Sequence, residues 1–438
     1  MAAVLTLTNA GPAALLVPAI LIVLYLGIRF PEVAFMLFLN AGIYKADPRL
    51  APLQSFVDLT LFFEALCILG ILIGVRRRQV KILRLPSKML VPYLAVAGMS
   101  VLSLIYTEAP IYGTDKLLRF LFITSFSLFA PWFLFQDWGR TKRFFVAWVV
   151  LSVIAASDVL ISGLEPGDYF RSAFGGSSGY LGLASLAAQS VLVLTFAFFL
   201  TVRSMWRKLL VISLIILNTF ILLASGGRTA PLVLPLILVG LLMYKVISFG
   251  GRAALVGRVP AHDFYSLRRL LTVVMILSIV ALFTISLRYT SVVDRLAVAF
   301  LNYESTGRIG YGSAALQALL THPWGLGIGG FAKYYTGSDE GRAYAHNLFL
   351  EVGSELGWIG LIAFVLLCIW AATSGVEALR RGTSQAHSVG VTLFSLYAFM
   401  LFYFQFHGDL NDARVLFAWM GALFAFRQLV IRELKCYA

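Results

Sequence analysis

Apolar stretches long enough to cross a bilayer recur along almost the whole chain, and that recurrence excludes most folds before any motif is consulted. A helical span takes about 20 mostly apolar residues. Segments of this kind run over 13–29, 31–44, 58–75, 89–106, 117–136, 144–163, 180–202, 208–224, 230–248, 270–287, 345–373, 388–406 and 413–431. The second is short, and Arg29-Phe30-Pro31 between the first two is a break of the re-entrant kind, so the count is 12 or 13. The alternating pattern of a β-barrel is absent, which leaves helices. Only 13% of the residues are charged and 60% are hydrophobic, against about 25% charged in a soluble domain. That little charge cannot cover the surface of a chain this size, so lipid is the solvent for much of it. The expected fold is an all-α polytopic membrane protein. An N-terminal bundle of about ten spans covers 1–287, a loop or cap with short amphipathic helices 288–344, and C-terminal membrane helices 345–438.

The formal charge of +14 is what basic cytoplasmic loops give a membrane protein. No Arg/Lys run interleaved with aromatics accompanies it, so nucleic acid is not an expected partner. Cys67 and Cys368 lie in apolar segments and Cys436 near the C-terminus, so no disulfide framework is read. The apolar run after Pro12 lacks a basic flank and leads straight into further spans, and is read as a membrane segment and not a cleaved signal. Arg76-Arg77-Arg78 with Lys81, Arg84 and Lys88 marks the cytoplasmic side. Alternation then puts Arg140/Lys142/Arg143, Arg203/Arg207/Lys208, Arg252/Arg258/Arg268/Arg269, Arg380/Arg381 and Arg432/Lys435 on that same side.

The opposite face, periplasmic in a bacterial cell, collects the segments that are more than connectors. The long one is 288–344, in which TGRIGYGSAALQALL has helical apolar spacing and His322-Pro323 with WGLGIGG ends the helix. Loops longer than about 12–15 residues are usually functional or disordered. External arginines run against the charge bias and call for partners. Arg228 follows two glycines in ASGGRTAP, Arg308 heads the amphipathic helix, and Arg171 precedes FGGSSG. A guanidinium fork fits phosphate oxygens, and glycines let backbone approach an anion closely. The plain alternatives are an arginine snorkelling to headgroups at Arg228 and a solvated helix start at Arg308. His346 and Asn347 open a helix whose N-terminal N–H groups favour an anion. An imidazole there can act as base or donor, or simply be structural. Glu351 and Glu355 share a stripe with Asn347, and carboxylates that deep in a span face the bundle interior and find partners. His322, His346 and His407 with Asp339, Glu340, Asp409 and Asp412 show no metal-ligand spacing, so neither metal nor cofactor is expected.

SGGRTAPLVLPL, then STGR with LLTHPWGLGIGGF, then AHNLFLEVGSELGWIGL, in this order, resembles the O-antigen ligase and polysaccharide polymerase superfamily over 218–362. The resemblance implies a GT-C-like, metal-independent, inverting glycosyltransferase of the bacterial inner membrane. Its donor would be a glycan on undecaprenyl pyrophosphate. Its acceptor would be a hydroxyl of lipid A-core in a ligase, or of another lipid-linked repeat in a polymerase. Family arginines map onto Arg228 and Arg308 and the family histidine onto His346, as catalytic residues. Asn347 and Arg171 join the two arginines as substrate-binding candidates, although the family's Asn-containing sequence after the external arginine reads Phe-Gly-Gly-Ser-Ser here. Ligase is the first expectation and polymerase the second. A lipid or sugar transporter, which would call for symmetric halves, is a distant third.

Overall fold

In a computed structural model of the chain, the described residues are 21–45, 54–161, 179–199, 201–225, 227, 229–241, 308–339, 343–381 and 384–437. Among them every regular element is a helix and no strand occurs. The protein is an all-α polytopic membrane protein. Among the described residues seven helices are long and apolar enough to cross a membrane. These are α4 (Leu59–Arg76), α6 (Pro110–Leu134), α8 (Leu181–Phe199), α9 (Met205–Ala224), α13 (Leu348–Arg381), α14 (Ala386–Tyr403) and α15 (Arg414–Lys435). The expected span at 270–287 and the boundary at 287/288 lie outside the described residues.

The first two expected spans meet at a sharp bend. The Arg29-Phe30-Pro31 break separates α1 (Leu21–Arg29) from α2 (Pro31–Leu39) by a bend of 114°. Pro31 has no N–H to continue α1 but fits the first turn of a new helix. The run expected at 144–163 belongs to α7 (Trp138–Ile161), whose first turns carry Arg140, Lys142 and Arg143 ahead of the apolar stretch. Shorter apolar helices are α5 (Ser87–Ser103) and α10 (Thr229–Leu241), and α3 (Ala41–Lys45) is a single turn after α2. Asp58 caps α4 by accepting from the Thr60 and Leu61 amides and pairs with Lys45. Burial raises the Asp58 pKa, but Lys45 and the two amides outweigh it and hold the carboxyl below its ordinary value.

The core is aromatic where α2, α7 and α15 meet. Trp148 lies 5.7 Å from Phe144 and 5.4 Å from Trp419. The Trp419 indole N–H, which must be satisfied when buried, donates to Gln189 Oε1 at 2.9 Å. Leu72, Leu94, Ile154, Leu210 and Ile362 point outward, as lipid-facing side chains do. The basic segment after α4, the start of α7 and the end of α15 gather at one end. Arg140 donates to the Gln79 carbonyl (3.0 Å) and Lys81 N–H to Gln136 Oε1 (2.9 Å). Arg432 lines a small cleft with Leu83 and Gln136, so the termini of α4, α6 and α15 share that end.

Candidate functional site at the opposite end of the bundle

The glycine-rich run after α11 (Arg308–Thr321) is fitted against a break in α13. The 34-residue α13 is two limbs, because Gly357 inside it has φ 67° and ψ −168°. Breaking a helix leaves amides and carbonyls without intrahelical partners, and here the loop supplies them. Leu326 N–H donates to Ser354 O (2.8 Å), Gly327 N–H to Glu355 O (3.0 Å), and Trp358 N–H to Pro323 O (3.0 Å). Gly325, at φ 84°, and Gly357 are both in the left-handed region. A Cβ on Gly325 would strike the Glu355 carbonyl, and one on Gly357 the Pro323 carbonyl. Only glycine meets both demands at once. The loop also rests on the end of α5. Ile328 N–H donates to Ser103 Oγ (2.9 Å), Thr107 Oγ1 to Ile328 O (3.1 Å) and Tyr106 OH to Trp324 O (2.8 Å).

The first limb of α13 opens on His346 and Asn347. Asn347 Oδ1 accepts from Leu350 N–H at 3.0 Å, the N-cap role to which asparagine is suited. His346 has φ 54°, a conformation a residue with a Cβ adopts only at a cost that the surroundings must offset. Its ring is 4.3 Å from Tyr344 and stands edge-on to Tyr311 at 5.3 Å. Tyr311 stacks in turn on Tyr335 at 4.0 Å, which closes α12 (Gly330–Thr336). Tyr311 is one turn from Arg308 on α11, so the structure brings the helix start that Arg308 opens against His346.

Arg228 and Arg171 lie outside the described residues. The corner that carries Arg228 is held at Ser225, whose hydroxyl donates to Leu222 O (2.8 Å). It is also held at Gly227, where a Cβ would be 2.9 Å from the Ala184 Cβ. On α8 the neighbouring Ser185 hydroxyl contacts Met400 Sδ at 3.6 Å. Met400 is one turn from Phe404, whose carbonyl accepts from Leu348 N–H at 3.0 Å. The Ser225-Gly-Gly corner and the His346-Asn347 corner therefore belong to the same end of the bundle, away from the basic loops.

Beneath them lies a feature that the sequence reading half missed. Lys116 on α6 donates to Glu351 Oε1 and, at 2.9 Å, to Glu355 Oε1. Lys116 and Glu351 side chains are 0% exposed and Glu355 2%. Leu410 N–H donates to the same Glu351 oxygen at 3.3 Å, and the Lys116 ammonium faces the Tyr112 ring at 5.9 Å. The glutamate stripe was legible. Lys116 was not, because it stands one residue before an expected span and no motif marks it. The signal was there in principle, since two carboxylates on one interior stripe demand a cation from some other helix. Asp339, weighed above beside the histidines, accepts from the Ile111 and Tyr112 amides (3.2 and 3.3 Å) and so caps α6. Among the described residues no three His, Cys, Asp or Glu side chains are grouped to hold a metal.

The arrangement offers an imidazole fixed at a helix start, next to the turn that bears one arginine and at the same end as the corner that bears another. Such a set can neutralise a diphosphate and orient a hydroxyl. Residues 211–365, about a third of the chain, match the family model described as O-antigen ligase. Over this segment the chain is similar to the O-antigen ligase family. The matched stretch runs from α9 to the second limb of α13 and includes the Ser225-Gly-Gly-Arg corner, the glycine loop and the His346-Asn347 corner. The likeness supports a membrane glycosyl-transfer role in O-antigen and lipopolysaccharide biosynthesis. Lys116 falls outside the match. No curated protein matches the chain.

Proposed function

We propose that this protein transfers a glycan from undecaprenyl pyrophosphate to a hydroxyl of lipid A-core, on the periplasmic face of the bacterial inner membrane. The acceptor oxygen attacks the anomeric carbon from the side opposite the pyrophosphate, the bond to the leaving oxygen breaks, and the configuration inverts. The leaving group already bears charge, so it needs neutralisation more than a proton. Arg228 and Arg308 supply that, with the gain concentrated on the charge that develops in the transition state. His346 orients the acceptor hydroxyl or takes its proton. Asn347, already capping α13, and Arg171 contribute to substrate binding. The observation that carries this reading is the meeting of the Arg308 turn with His346 through Tyr311 at 5.3 Å. Guanidinium groups replace a metal in this scheme, so transfer should survive EDTA.

The same residues serve a polymerase, which would hand the glycan to another lipid-linked repeat. Deleting the gene and resolving cell-surface glycans on a gel separates the two. Lipid A-core stripped of polymer while lipid-linked polymer accumulates is the ligase result. Single repeats in place of long chains make the enzyme a polymerase, and an unchanged glycan profile removes the proposal.

A further inference from the structure

The buried cluster of Lys116, Glu351 and Glu355 takes no part in the transfer scheme above, yet it ties α6, the segment after α14 and the glycine loop to the start of α13. We infer that Lys116 and Glu351 are positioning residues for transfer: they clasp the first turn of α13 and so hold His346 in place. The inference rests on the role given to His346 above.

Charges at 0–2% exposure inside a span are a poor means of holding helices together. Apolar side chains of similar volume usually do as well or better, because desolvation offsets most of the Coulomb attraction. What such a cluster gives is one fixed geometry. Glu351 Oε1 receives both the Lys116 ammonium and Leu410 N–H, while its own backbone N–H donates to the Asn347 carbonyl at 2.9 Å. One residue thus links α6 and the segment after α14, through its side chain, to the residue next to His346, through its backbone. Four residues further on, Glu355 gives its carboxylate to Lys116 and its backbone carbonyl to Gly327 of the glycine loop. His346 sits in a left-handed conformation that persists only where its surroundings over-determine it. The Asn347 cap and the Glu351 clasp act beside the Tyr344 and Tyr311 ring contacts in doing so. Releasing the clasp lets the first turn shift, and a displacement of about 1 Å at a reacting group costs on the order of 10² in rate.

The test uses the full-length protein in lipid nanodiscs, with undecaprenyl-pyrophosphate-linked glycan as donor and lipid A-core as acceptor. Rates are expressed per folded molecule. Glu351→Leu leaves Lys116 paired one-to-one with Glu355, so the interior stays charge-balanced. It should lower kcat by about 10²-fold with both KM values unchanged. Glu351→Gln keeps an oxygen for Lys116 and Leu410, and should restore kcat to within about threefold of wild type. A cluster that only stabilised the fold would reduce the yield of folded protein and leave kcat per folded molecule unchanged, in both variants. That result overturns the inference. Where Glu351→Leu does not fold, the neutral triple variant Lys116→Met/Glu351→Gln/Glu355→Gln takes its place: reduced kcat upholds the clasp and wild-type kcat removes it. His346→Ala is the reference. If it is inactive while Glu351→Leu turns over normally, the clasp alone is wrong. If His346→Ala is itself fully active, the role of the histidine fails first and the clasp falls with it.

Discussion

The two ends of the bundle each hold a cluster of three charges, built with opposite stoichiometry and in opposite media. At the motif end one lysine serves two glutamates, all at 0–2% exposure. At the basic end one glutamate, Glu377, serves Arg427 (2.6 Å) and Arg381 (3.1 Å), with side chains 30–58% exposed. The chemistry of the contacts is alike, but the energetics are not. Water can replace either partner of an exposed pair, so such pairs contribute little. Nothing replaces Lys116 for two carboxylates sealed in the protein interior, so removing one partner there is costly even though the cluster as a whole adds little stability. Exposure, and not the number of contacts, decides which cluster constrains the structure.

The largest expected effect breaks the buried cluster at its centre. Lys116→Met leaves two carboxylates without a cation and should destabilise the protein by roughly 3–5 kcal/mol, read as a fall in thermal unfolding temperature in detergent. Neutralising Glu351 and Glu355 to Gln in the same chain should recover most of that loss. A Lys116→Met protein as stable as wild type would erase the contrast between the two ends.

Next in size are the changes that confine chemistry to the motif end. Arg228→Lys and Arg308→Lys keep the charge but lose the bidentate fork, and each should lower the rate by about 10²–10³. His346→Ala should abolish transfer for a different reason, and should still bind undecaprenyl pyrophosphate where the arginine variants bind it poorly. Direct binding measurements on the three purified variants check this. Arginine variants that bind and turn over like wild type would make those positions headgroup anchors.

The smallest effect is at the basic end. Glu377→Gln should change stability by no more than about 1 kcal/mol and leave transfer untouched. A loss as large as that of Lys116→Met would mean that the exposed cluster matters in a way its setting does not explain.

Much of this contrast was legible in the residues, for identifiable reasons. Span-length apolar runs and clustered arginines are local signals, so the helical fold and the shared end of the basic loops followed directly. The break at Pro31 and the end of α11 at His322 were also readable, because proline acts on its own neighbourhood. Glu351 and Glu355 announced an absent partner without naming it. Lys116 is 235 residues from Glu351, and no periodicity reaches that far. The interruption at Gly357 was hidden for a related reason. Its cause is the backbone of the glycine loop more than thirty residues earlier, and within its own segment the apolar pattern runs on unbroken. The Asn347 side chain was read for its proximity to an anion and turned out to be engaged in capping as well.

The interruption of α13 also bears on bilayer thickness. An unbroken helix of its 34 residues would be about 51 Å long at 1.5 Å per residue, while the hydrocarbon layer is about 30 Å. A straight α13 would have to tilt steeply or lift its first turns clear of the lipid. Gly357 lets the surplus length turn aside, and the hydrogen bonds from residues 323–327 keep the opened backbone from facing hydrocarbon unsatisfied. The loop is synthesised before the helix it completes, so its backbone groups are available to pair with the opened backbone when α13 forms. The order of translation therefore suits the assembly: a receptor for the broken backbone is waiting before the break arrives.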